Sequence, residues 1–154
     1  MTVSAFRRAA VLGGLTAAVA AASMGAASAD AAAAKPFPVK KFDVCYPKAA
    51  HCATAKHLKV RAYGTVQYRP SYPAGHVTAY NKLAKPAYVV VTIRMKNGVS
   101  RSKYIPVPKR INNVGFAYPA SSRFITSITI KVCTSTGAKA SCGLPQTLIT
   151  PKLG

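Results

Sequence analysis

Glutamate and tryptophan are absent from this 154-residue chain, and only Asp30 and Asp43 stand against 22 lysines and arginines. The shortage of carboxylates excludes much hydrolytic chemistry. A glycosidase needs two acids flanking one bond, and Asp43 is the only one expected inside the folded domain. A Ser-His-Asp relay could recruit only Asp43 with His51, His57 or His76, and no Gly-x-Ser-x-Gly elbow presents a serine. The lack of Trp counts against a carbohydrate site, which relies on broad aromatic platforms. No segment carries sustained helical periodicity with caps, which argues against a helical fold. The four cysteines show no C-x-x-C spacing, so a zinc site is not indicated. No motif calls for any other metal or for a cofactor.

What is present begins with an export signal. Arg7 and Arg8 precede an apolar run of small residues, Ala9 to Gly25, and Ala27-Ser28-Ala29 forms an A-x-A cleavage site. Residues 1–29 read as a signal peptide, with Asp30 the new N-terminus and the mature protein secreted. Arg7-Arg8 suggests the twin-arginine route, but Phe6 stands where that motif prefers Ser or Thr, which favours ordinary Sec export. No stop-transfer flank follows, so no membrane span is expected after processing. About 125 residues then remain, enough for one domain that buries roughly two-thirds of its unfolded surface. Residues 30–41 contain Pro36 and Pro38 and little to dock, and they read as a flexible basic lead-in. A single β domain is expected over 42–154.

The clearest local signal is Asn97-Gly98, flanked by the β-rich runs Tyr88–Lys96 and Val99–Ile105. A two-residue type I′ turn there sets Arg94 opposite Arg101 and Thr92 opposite Lys103 on an outward face. Leu58 to Tyr68 alternates, with Val60, Ala62, Val66 and Tyr68 inward, Lys59, Arg61 and Tyr63 outward, and Gly64 read as a bulge. Arg69 to Gly75 holds Pro70 and Pro73 and reads as a loop. Gly75 to Asn81 and Val114 to Tyr118 are further strands, and Pro106 and Pro108 should end the central hairpin. In Phe124 to Thr134 the alternation puts Phe124, Thr126, Ile128, Ile130 and Val132 on one face. Cys142 to Thr150 returns as an edge strand broken by Pro145. About seven short strands predict an all-β fold, a small antiparallel β-sandwich that is Ig-like in general architecture.

Cys45, Cys52, Cys133 and Cys142 form an even set in an exported chain and read as two disulfides. Three connectivities are open. The local pairs Cys45–Cys52 and Cys133–Cys142 are favoured, the second because it closes a hairpin. Each such closure contributes about 2–3 kcal/mol by constraining the unfolded chain. Leu144-Pro145-Gln146-Thr147 resembles the front of a sortase sorting signal. Leu148 replaces its Gly, however, and the apolar span and basic tail are missing, so a Pro-broken edge strand is the better reading.

Removing Arg7 and Arg8 leaves 20 basic side chains against two acids, a formal net charge of +18. Such a charge draws polyanions: nucleic acid, teichoic acid or anionic lipid headgroups. Lys59, Arg61, Arg94, Lys96, Arg101 and Lys103 are the candidate binding residues, with Tyr63, Tyr80 and Tyr88 nearby for stacking. The chain reads as a monomeric, non-enzymatic binding module. Two alternatives stand beside it. One is a metal-free ribonuclease-like enzyme using two of His51, His57 and His76 with a lysine. The other is an exported inhibitor or antimicrobial presenting Arg69 to Gly75.

The Arg-Arg signal with its Ala/Gly/Val run, the early Cys pair, and the closing Ile128-Thr129-Ile130-Lys131-Val132-Cys133 with Ser141-Cys142 resemble small exported actinobacterial proteins with two disulfides. The resemblance covers the signal and about the last 25 residues. It implies a β-rich fold and a Cys-closed final hairpin, and it brings no activity and no catalytic residue.

Overall fold

A computed structural model describes residues 36–49 and 51–152. The expected signal peptide lies outside the described residues. Among these residues eight strands form: β1 (Val39–Tyr46), β2 (Val60–Tyr68), β3 (Pro73–Asn81), β4 (Ala87–Met95), β5 (Ser100–Val107), β6 (Arg110–Ala117), β7 (Ile125–Cys133) and β8 (Gln146–Ile149). A 3-10 turn, Ser122–Phe124, precedes β7. The strands make two four-stranded antiparallel sheets. Sheet A has the order β1-β2-β3-β6 and sheet B the order β5-β4-β7-β8. The two sheets pack as the sandwich expected from the alternation, with β1 lying against β7 and β8.

The core follows the period-2 pattern. Val60, Ala62, Val66 and Tyr68 of β2 are fully buried, as are Val89 and Val91 of β4 and Ile128, Ile130 and Val132 of β7. Two tyrosines then stitch the sheets together. The Tyr68 hydroxyl donates to the Leu148 carbonyl at 3.4 Å, and the Tyr118 hydroxyl donates to the Val91 carbonyl. Burial pushes both phenols up to about 12; for Tyr118 the Lys103 backbone N–H pulls weakly the other way. Cys45 pairs with Cys52 and Cys133 with Cys142, the local connectivity.

Several boundaries differ from the sequence reading. Val39, Lys40 and Lys41, read as lead-in, pair with β2 opposite Gln67, Val66 and Thr65. Arg69 to Gly75 is a loop only as far as Tyr72, because Pro73 opens β3 without needing an N–H. Pro106 sits inside β5 rather than ending it, which an edge strand tolerates. Gly64 is no bulge: it pairs in register with Phe42 and Val77. A Cβ there would run into the His76 carbonyl and the Phe42 ring, so the glycine permits a close approach of neighbouring chains. A bulge does occur at Thr126, where β7 spends an extra residue against β4. That switches the alternation, so Ile125 turns inward and Phe124 is left 64% exposed.

The central hairpin carries the largest correction. Among non-glycine described residues only Asn113 has positive φ, so Asn97 is not in the left-handed conformation that type I′ requires. Gly98 alone adopts it, at φ +83°. The result is a three-residue loop, Lys96-Asn97-Gly98, closed by Met95 N–H to the Val99 carbonyl at 2.8 Å and Gly98 N–H to the Met95 carbonyl at 3.0 Å. One extra loop residue shifts the register by one. Arg94 therefore faces Ser100, Thr92 faces Ser102, and Arg101 faces Ile93. Every β5 side chain changes face relative to the two-residue expectation.

Candidate polyanion-binding face

Register decides which cations can act together. The outer face of sheet A carries the alternate residues that the core leaves over. Arg61 of β2 lies opposite Tyr80 of β3, and Tyr80 lies opposite Arg110 of β6, which makes one row across three strands. The next row runs Asp43, Tyr63, Thr78. The one after runs Lys41, Thr65, His76, Gly115. Cations and aromatics thus alternate over one surface.

Arg61 is the fixed point of this face. Its Nε and Nη2 donate to the two Asp43 carboxylate oxygens, each at 2.8 Å. Its guanidinium also sits 5.2 Å from the Tyr63 ring centroid, a cation–π distance. The hydrogen bond to Asp43 raises the Arg61 pKa further above its already high value, against a smaller desolvation effect. The pair is partly exposed, so its contribution to stability is small; its main effect is to orient the guanidinium. Asp43 is also the only acid among the described residues, so no other carboxylate there competes for the remaining cations.

Beside this face lies an open cavity of about 770 Å³, lined among others by Lys41, Arg61, Tyr63, Leu144 and Gln146. Gln146 closes the free edge of β1: its Oε1 accepts from the Asp43 N–H at 2.8 Å and its Nε2 donates to the Lys41 carbonyl at 3.5 Å. Leu144-Pro145-Gln146-Thr147 is therefore built into the fold, with Gln146 and Thr147 in β8.

The six sequence-predicted residues do not share a face. Lys59 and Arg61 lead into and occupy β2 of sheet A. Arg94 is on the outer face of sheet B beside Ser100 and Ser127. Lys96 is in the hairpin loop. Arg101 and Lys103 turn to the inner side of β5, opposite Ile93 and Val91, yet both stay exposed. The expected pairing of Arg94 with Arg101 is absent for the register reason given above. Of the stacking candidates, Tyr63 and Tyr80 join the sheet A face, while Tyr88 lies on sheet B opposite Cys133. Sequence reasoning missed Arg110, Lys41 and His76 as members. The alternation of Gly75 to Asn81 already placed Tyr80 and His76 on one side, but the pairing of β3 with β6 is a long-range fact that no local pattern carries. His51 and His57 precede β2, and among the described residues no group of three His, Cys, Asp or Glu side chains is arranged so that it could hold a metal ion.

Among the described residues, no helix is long and apolar enough to cross a membrane. Compared with known proteins, the chain matches no family model, no curated protein and no solved structure.

Proposed function

We propose that this protein is a secreted, non-enzymatic binding module that engages an anionic polymer through the outer face of sheet A. The observation that carries the reading is the Arg61–Tyr80–Arg110 row with Tyr63 and Lys41 beside it. Guanidinium groups track phosphates, and the tyrosine rings stack on whatever planar groups the polymer offers between them. Asp43 holds Arg61 in place through Nε and Nη2, and the remaining N–H groups of the guanidinium are the ones offered to a phosphate. The binding is expected to be electrostatic and sequence-tolerant.

The test uses the mature, oxidised protein and a fluorescently labelled single-stranded RNA, with anisotropy followed as salt rises and the RNA then run on a gel. Intact RNA bound with a steep log–log salt slope supports the reading. For a single strand each phosphate contact contributes about −0.7 to that slope. No binding at low salt would overturn it, and cleaved RNA would replace it with an enzymatic one.

A further inference from the structure

A second cleft lies away from the sheet A face, where the central hairpin meets the start of β7 and the end of the described chain. Its volume is about 560 Å³, and its lining includes Lys96, Ser122, Arg123, Thr150 and Lys152. The backbone ties these segments together. Lys96 N–H donates to the Phe124 carbonyl at 2.8 Å, and Thr150 N–H donates to the Thr126 carbonyl at 3.1 Å. Three cations therefore border one cleft, and among the described residues no carboxylate side chain lines it. The one acid among the described residues, Asp43, is engaged by Arg61 in the other sheet.

A second observation points the same way. Ser122 is only 1% exposed, and its Oγ has no hydrogen-bond partner among the described residues. The Oγ1 of the half-buried Thr150 likewise has no hydrogen-bond partner among the described residues. A buried hydroxyl without a partner is costly and uncommon, and here both such hydroxyls belong to residues lining the same cationic cleft. A hydroxyl donates readily to an anionic oxygen, and Arg123 adds a planar fork suited to two oxygens at once. We infer that this cleft is an oxyanion site of the phosphate class, taking free phosphate or a terminal phosphomonoester. It is separate from the sheet A face and does not rest on the polymer reading.

The experiment titrates inorganic phosphate into the isotopically labelled protein at constant ionic strength, with chloride as the matched control, and follows backbone amide shifts. Saturable shifts at Lys96, Ser122, Arg123 and Thr150, absent with chloride, are the expected result. Arg123→Gln and Ser122→Ala should each weaken phosphate about three- to tenfold, while Lys139→Gln, at an exposed position away from both faces, leaves it unchanged. Arg123 is exposed, so that variant keeps the test open even where Ser122→Ala disturbs packing. A glycerol phosphate monoester that binds as well as or better than phosphate identifies a chain terminus as the occupant; a monoester that binds only weakly identifies free phosphate. Linear shifts identical to those with chloride, or an Arg123→Gln variant with unaltered affinity, would overturn the site.

Discussion

The two outer faces of this sandwich are made by the same rule and come out opposite in kind. Sheet A presents Lys41, Arg61, Tyr63, His76, Tyr80 and Arg110. Sheet B presents hydroxyls: Ser102, Thr92, Thr129 and Thr147 form one row across all four strands. The hydroxyl row is largely satisfied within itself, with Thr92 and Ser102 2.8 Å apart and Thr129 and Thr147 3.1 Å apart. The cationic face is not, since Asp43 is the one carboxylate it holds. Net charge describes the whole chain, whereas a binding surface depends on which cations the strand register makes neighbours. On sheet B the cations are spread out, with Arg94 one row and Lys131 another from that hydroxyl row.

The largest way to stress the comparison is to loosen the core under one face. Ile130 is fully buried beneath sheet B, between Thr129 and Lys131. Ile130→Ala should cost about 2–5 kcal/mol of unfolding free energy, read from the urea midpoint. Polyanion affinity measured well below that midpoint should stay unchanged under the proposed reading, in which sheet A carries the contacts. A parallel loss of affinity would show that the two faces are not independent.

Alkali tests the stitches that hold the faces together. Tyr68 and Tyr118 have folded pKa values of about 12, against about 10 for an exposed phenol. The folded state holds these protons more tightly than the unfolded one. Their stability contribution is therefore complete below about pH 10 and is lost as pH rises through about 12, on the order of 2–3 kcal/mol for each tyrosine. Urea midpoints at pH 9 and pH 11.5 should fall accordingly. The double variant Tyr68→Phe, Tyr118→Phe should start less stable and then decline less over the same interval. An equal decline would assign the alkaline sensitivity to other groups.

The comparison is sharpened by removing two charges from each face in turn. Arg61→Gln with Arg110→Gln should flatten the single-strand salt slope by about 1.4. Arg94→Gln with Lys131→Gln removes the same charge from sheet B and should change the slope much less. Equal effects would mean that the charge acts as a diffuse cloud. Asp43→Asn removes the carboxylate that orients Arg61, so the slope should flatten by up to about 0.7 where the released guanidinium no longer holds its phosphate contact.

Much of this was legible in the sequence where the signal is local. Val60 to Tyr68 and Ile128 to Val132 alternate cleanly, and the burial follows. The cysteine pairs are close in sequence, so short closures were the natural choice. The failures came from single-residue decisions with long reach. Whether Asn97 joins Gly98 at positive φ depends on small local preferences, yet it decides the face of Arg101 and Lys103. The bulge at Thr126 likewise exchanged Phe124 for Ile125 in the core. The sheet A site needed β6 beside β3, and the short path from Val107 to Arg110 does not reveal that the chain changes sheets there. The orphan hydroxyls of Ser122 and Thr150 had no sequence signature at all, because they are defined by the partners they lack.

The smallest effect is expected on the hydroxyl row itself. Thr92→Val and Thr129→Val keep the branched shape and remove one partner from each cross-strand pair. The exposed positions let water replace the lost bond, and valine suits a strand at least as well as threonine. Each substitution should shift stability by no more than about 1 kcal/mol, measured by urea unfolding. RNA affinity and its salt slope should be unchanged, because the substituted hydroxyls bond to each other rather than to a ligand. A marked fall in affinity from Thr92→Val would assign sheet B a share of the polymer contact. The self-satisfied row would then be a ligand surface in waiting, and the contrast between the two faces would have to be redrawn around Lys131, which shares with Thr92 and Thr129 the lining of an open cavity of about 450 Å³.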